Sequence, residues 1–154
     1  MSLPTPQPGL VIRYSYLWAH EHDQGREEGV KDRPCAVLLA TRTDDGDLRV
    51  IVLPISHAPP HDPENAIEIP ASTKRRLGLD DDQSWIVLTE ANAFTWPGPD
   101  LRFEPGSGPE SVALGFLPAR LINIMRDRFL ALHERNQARF VPRTEQADSR
   151  VASD

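Results

Sequence analysis

The chain has 154 residues, 39% hydrophobic and 26% charged, enough to bury one core and too apolar for wholesale disorder. Seventeen basic against 23 acidic residues leave a net charge of −6, which argues against general polyanion binding, since that needs a positive footprint. No apolar run approaches the ~18 residues of a membrane span, residues 1–9 lack a signal-peptide pattern, and the single cysteine, Cys35, has no disulfide or zinc-site partner. A cytoplasmic protein with no membrane association is expected.

In chain order, residues 10–18 (LVIRYSYLW) are rich in β-branched and aromatic types and predict a strand after Pro8-Gly9. Residues 19–32 are polar, carry two glycines and read as a surface loop. The apolar run 34–41, the DDGD turn at 44–47 and the run 48–55 predict a hairpin. Three prolines make 56–65 an irregular loop. A short strand is expected at 66–69 and one helical turn at 72–77, stopped by Gly78. A further strand is expected at 84–90 and a last short one at 92–96. Residues 97–109, rich in proline and glycine, read as a surface loop. Then the period changes: Leu117, Leu121, Ile124, Met125, Phe129 and Leu132 mark one apolar helix face, predicting a helix near 118–138 with Pro118 at its first position. The expected architecture is mainly β with a C-terminal helix, a small barrel in one domain (1–141), followed by a polar, frayed tail (142–154). Charge is uneven along it: ten basic against eighteen acidic residues in 1–117, five arginines against two acids in 118–140.

Three stretches in fixed order carry further information. Pro8-Gly9-Leu10-Val11-Ile12-Arg13-Tyr14 opens the first strand. Gly25-Arg26-Glu27-Glu28-Gly29-Val30-Lys31-Asp32-Arg33-Pro34-Cys35-Ala36-Val37-Leu38 leads through an arginine-proline pair into an apolar strand. Val50-Ile51-Val52-Leu53-Pro54-Ile55-Ser56 ends a strand on proline, an aliphatic residue and a hydroxyl. Together these resemble the MazF/PemK family of toxin endoribonucleases from bacterial toxin–antitoxin pairs, over roughly residues 8–132. The chain departs from that family in its length, its acidity, the carboxylates around Arg33 and the proline-rich segment 97–109.

The resemblance implies an SH3-like (MazF/CcdB-like) barrel and cleavage of single-stranded RNA without metal or other cofactor, the ribose 2′-hydroxyl being the nucleophile. It also implies a homodimer and a cognate antitoxin as partner. Arg33 is carried over as the group holding phosphate oxygens, a role that suits a planar guanidinium, and Ser56 as a hydrogen-bond donor to the phosphorane. His57 is our own addition, with His61 as a second choice, because histidine exchanges protons near neutrality and can protonate the leaving 5′-oxygen. Expected substrate contacts are Glu27, Lys31, Lys74, Arg75 and Trp85, with Arg76 and Trp96 in similar positions. Without the resemblance, Arg33 reads as a surface arginine paired with Glu27 or Glu28, Ser56 as a turn serine, and both histidines as exposed loop residues. Lys74-Arg75-Arg76 then reads as a solvated face balanced by Asp80-Asp81-Asp82, the tryptophans as core, and Cys35 as a small buried side chain. His20-Glu21-His22-Asp23 offers two imidazoles on an extended strand but no third ligand, so no metal site is expected. Two other functions fit the residues. One is a catalytically inactive PemK-like module that binds nucleic acid or protein as a growth regulator. The other is a phosphodiesterase built on His57 and His61.

Overall fold

The computed structural model describes residues 2–26, 29 and 31–143. Its strands are β1 (Leu10–Tyr14), β2 (Arg33–Arg42), β3 (Leu48–Ser56), β4 (Ala66–Glu68), β5 (Trp85–Val87), β6 (Glu90–Trp96), β7 (Ala113–Phe116) and β8 (Arg139–Pro142). Its helices are α1 (Ala19–Asp23), α2 (Ala71–Leu77) and α3 (Ala119–Glu134). All the strands join one sheet in the order β4-β5-β3-β2-β1-β7, with β6 also on β3 and β8 parallel to β6.

The β2–β3 hairpin forms the centre. Its turn places Gly46 at φ 90°, which a residue without Cβ adopts freely. β3 is long enough to use one edge twice: its first half pairs with β6, Leu48 to Val52 against Trp96 to Asn92. Its end pairs with β5, Ile55 against Ile86 and Ser56 against Trp85. Strand alternation then sorts the side chains into two layers. Val11, Ala36, Leu38, Leu53 and Ile55 face the α3 stripe of Leu121, Met125, Phe129 and Leu132. Ile12, Tyr14, Cys35, Val37, Val50 and Val52 face the other way, with Phe94, Leu101 and Val112.

The sheet is open, which corrects the expected closed barrel. The candidate closing strand, β7, has only four residues, slips register against β1 between Val11 and Ile12, and carries Gly115 at φ 135°. α2 packs on β7 at that edge, where a Cβ on Gly115 would stand 2.8 Å from Leu77 Cδ2. The sheet therefore ends on β7 and on β4 and β8, and closure is replaced by helical cover.

Other expectations need smaller changes. The first strand stops at Tyr14, and 19–23 is helical instead of loop. The expected strands 84–90 and 92–96 are both present with the boundary shifted, as β5 (Trp85–Val87) and β6 (Glu90–Trp96). Segment 97–109 is followed by a 3-10 turn, Pro109–Val112, and the unexpected β7. α3 ends at Glu134 with Pro118 as its N-cap, leaving room for β8. Pro142 closes β8 and Arg143 is buried; the rest of the expected tail, 144–154, lies outside the described residues. Among the described residues no helix is long and apolar enough to cross a membrane.

Candidate active site around Arg33

Arg33 is the first residue of β2, directly after the exposed, non-helical residues 31–32, and it is half-buried. Its guanidinium carbon lies 4.9 Å from the centroid of the Trp18 ring, an arrangement that fixes a cation over an aromatic face. Nη1 donates weakly to the Ile55 carbonyl at 3.5 Å. Nε is buried and has no hydrogen-bond partner among the described residues. Glu27 and Glu28, the expected acidic neighbours, lie outside the described residues. Continued by two residues, the register that pairs Cys35 with Pro54 sets Arg33 opposite Ser56.

Arg33 stands between two clefts. One, of about 260 Å³, is lined by Lys31, Arg33, Ile55, His57, Asp80 and Ser84 among others. The second, of about 280 Å³, includes Arg13, Asp32, Arg33, Arg102, Phe103 and Glu104. Pro34, Gly78 and Leu79 line both, so the two clefts are immediate neighbours on either side of Arg33.

His57 is exposed beside the first cleft, and its Nε2 lies 2.7 Å from Asp80 Oδ2. Asp80 is held from the other side by Lys74, whose Nζ donates to Oδ1 at 2.8 Å. That hydrogen bond is the main reason the Asp80 carboxyl sits below the usual carboxylate range, and the contact with His57 lowers it further. Asp80 therefore stays ionised and orients the imidazole, the arrangement that a proton-transferring histidine uses.

Two expected site residues are placed differently. Lys74 was expected at the rim, but it is buried, 4% exposed, and spends its ammonium on Asp80, the Asp82 carbonyl and Ser84 Oγ. Residues 80–84 return over α2 and enclose it, because a buried ammonium needs every donor satisfied. Ser56 closes β3 beside the cleft without lining it. Its hydroxyl oxygen accepts from Ala58 N at 3.0 Å, a local turn that draws the oxygen back to the backbone and leaves its hydrogen to donate.

The remaining residues sort simply. Lys31 lines the Arg33 cleft. Arg75 is exposed in a different pocket, with Glu68, Ile69 and Asp81. Trp85 is half-buried in β5, and Trp96 is half-buried with its ring 6.2 Å from Phe94. His61 is exposed and lines neither cleft. Cys35 is fully buried, which pushes its thiol pKa well up and makes it inert.

His20 and His22 sit on a helix, where residues two apart diverge, and Asp23 is held by Arg139 at 2.6 and 2.9 Å. His57, Asp80 and Asp82 have ligand atoms within 4.8 Å of one another, but Lys74 already supplies a cation to Asp80. Sequence reasoning missed Trp18, Asp80, Arg13 and Arg102 as site residues. Only Asp80 gave a signal, as the first carboxylate after the lysine-arginine run.

No family model matches the chain, and neither the curated proteins nor the solved structures gave a match.

Proposed function

We propose that the chain is a metal-independent endoribonuclease of the MazF/PemK kind, cleaving single-stranded RNA as the toxin of a toxin–antitoxin pair. The observation that carries the reading is the Arg33 guanidinium. It is braced on Trp18, half-buried between two neighbouring clefts, and has no carboxylate partner among the described residues. In the reaction the ribose 2′-oxygen attacks phosphorus, its proton passes to solvent, and the bond to the 5′-oxygen breaks. The products are a 2′,3′-cyclic phosphate and a 5′-hydroxyl. Arg33 holds two phosphate oxygens as negative charge builds, Ser56 donates its hydroxyl hydrogen to the same group, and His57, oriented by Asp80, protonates the leaving oxygen. The homodimer, the antitoxin and the kinship with SH3-like barrels belong to the same proposal. The open sheet is compatible with it because the site uses only the end of β1, β2 and β3.

A second reading has one observation in its favour. Asp32 lies 3.3 Å from Arg102 and Glu104 3.9 Å from Arg13, so part of the positive surface is already neutralised, as suits a non-catalytic module binding nucleic acid or protein as a growth regulator. One experiment separates the two. Purified protein is incubated with a long single-stranded RNA in EDTA, beside Arg33→Ala. A donor aimed at developing charge is worth about 3–4 kcal/mol, so the variant should cleave at least about 100-fold more slowly. Intact RNA at protein excess, or a variant within tenfold of the original, overturns the endoribonuclease.

A further inference from the structure

We propose that Phe103, Arg102 and Arg13 form a second nucleotide subsite beside Arg33, in which Phe103 stacks on a base of single-stranded RNA and the two arginines hold the adjoining phosphate. The substrate class rests on the endoribonuclease reading; the subsite rests on the following geometry.

Segment 100–103 is anchored and not a loose loop. Ser15 N donates to the Asp100 carbonyl at 2.9 Å and Arg102 N to the Arg13 carbonyl at 3.0 Å, while Leu101 bridges to Tyr14 and is buried. The backbone thus runs beside β1 as an extra short rung. Leu101 points into the core, and Phe103, two residues on, is 43% exposed. A bare ring on a fixed backbone is a stacking platform whose ordering cost is already met.

The cations around it are also fixed. Arg102 Nη1 donates to the Pro99 and Leu101 carbonyls at 3.1 Å each, and its Nε faces Asp32. Arg13 Nε donates to the Ser111 carbonyl at 3.0 Å. Each guanidinium keeps further N–H donors without a protein partner among the described residues. Three arginines against Asp32 and Glu104 make this cleft net positive in a chain of charge −6. Aromatic ring beside arginine is the combination that grips single strands, since every base has a face to stack and every nucleotide a phosphate. The cleft shares Arg33 with the His57 cleft, so a strand whose scissile phosphate lies on Arg33 continues into it.

The test uses the full chain, a cleavable single-stranded RNA oligonucleotide and its non-cleavable 2′-O-methyl analogue. Variants are Phe103→Ala, Phe103→Tyr and, as a control on the outer face of α3, Leu130→Ala. Loss of one stacked base should raise KM for the RNA, and Kd for the analogue, roughly tenfold in Phe103→Ala. Phe103→Tyr restores both and Leu130→Ala changes neither. If wild-type protein cleaves and Phe103→Ala binds as wild type does, the subsite is overturned while the endoribonuclease stands. If wild-type protein fails to cleave but Phe103→Ala still weakens analogue binding, the endoribonuclease falls and the subsite stands. Failure of wild-type protein to bind either oligonucleotide overturns both.

Discussion

Replacing Arg143 with methionine tests what holds the proposed RNA-binding face in place. Arg143 follows β8 and is 5% exposed; its guanidinium lies 3.0 Å from the Asp100 carboxylate, 3.1 Å from Asn92 Oδ1, and on the Ser15 carbonyl. Asn92 in turn exchanges two hydrogen bonds with the Leu17 backbone, at 2.9 and 2.8 Å. One side chain thereby joins β8, β6, the end of β1 and the root of segment 100–104. Methionine keeps most of the volume, so Arg143→Met removes the charge without opening a large cavity. It leaves a carboxylate that is only 7% exposed without the cation beside it. Breaking a buried pair from one side costs about 3–5 kcal/mol, which for a chain of this size lowers Tm by about 10 °C. Urea denaturation followed by tryptophan fluorescence measures the loss. Arg143→Met/Asp100→Asn should recover a good part of it, because the neutral amide no longer needs a counter-charge. A single variant within about 1 kcal/mol of wild type, or a double variant that loses the sum of the singles, would refute the reasoning.

Other perturbations follow from the same geometry. Asp80→Asn should slow RNA cleavage about tenfold at neutral pH with little change in KM, because His57 loses the acceptor that orients it. The depressed Asp80 carboxyl also stabilises the fold above the usual carboxylate range and less as pH falls through its own value, so the stability gap between Asp80→Asn and wild type should close in acid. Glu90 is the opposite case: burial raises its pKa although it accepts from Ala19 N and Tyr16 Oη. The folded state then binds its proton more tightly, so wild type loses stability as pH rises through the window from the ordinary glutamate value to the raised one. Glu90→Gln, measured by urea titration across pH 4–7, should gain on wild type over that window and not below it. Gly9 has φ 91° and an added Cβ would stand 2.2 Å from Ile122 Cδ1. Gly9→Ala should cost about 1–3 kcal/mol, and trimming Ile122 to alanine beside it should not recover the backbone strain.

The parts of the fold that show in the sequence are those with enough residues to display a period. The β2–β3 hairpin shows because two long apolar runs flank an aspartate-glycine turn. α3 shows because its stripe repeats over four turns. α2 shows because Gly78 ends it at φ 75°, with Gly78 N and Leu79 N returning to the Arg75 and Lys74 carbonyls. α1, β7 and β8 are four or five residues each, too short for a pattern, and all depend on distant partners. α1 begins where Glu90, far along the chain, caps Ala19 N, and β8 exists because β6 offers it a parallel edge. The site divides the same way. The arginine-proline junction at the start of a strand puts Arg33 at a sheet end, so its position can be read from the sequence. The burial of Lys74 cannot, because it depends on residues 80–84 folding back over the ammonium.

That burial also bears on how an acidic chain can hold a phosphate. What matters for a phosphate is which cation each carboxylate beside the clefts already has. Asp80 is held by Lys74, Asp32 faces Arg102, and Glu104 faces Arg13. Each acid is therefore matched to a cation other than Arg33, and Arg33 is the arginine of the two clefts that has no carboxylate partner among the described residues. Its brace is the Trp18 face, which orients a guanidinium without cancelling its charge. The described acids around the clefts then cost Arg33 little of its attraction for a phosphate, and they hold Arg13, Arg102 and His57 in fixed orientations along the path the strand would follow under the proposal. Overall charge and local charge can differ in this way, so the −6 that argues against general polyanion binding is compatible with the narrow anion site proposed at Arg33.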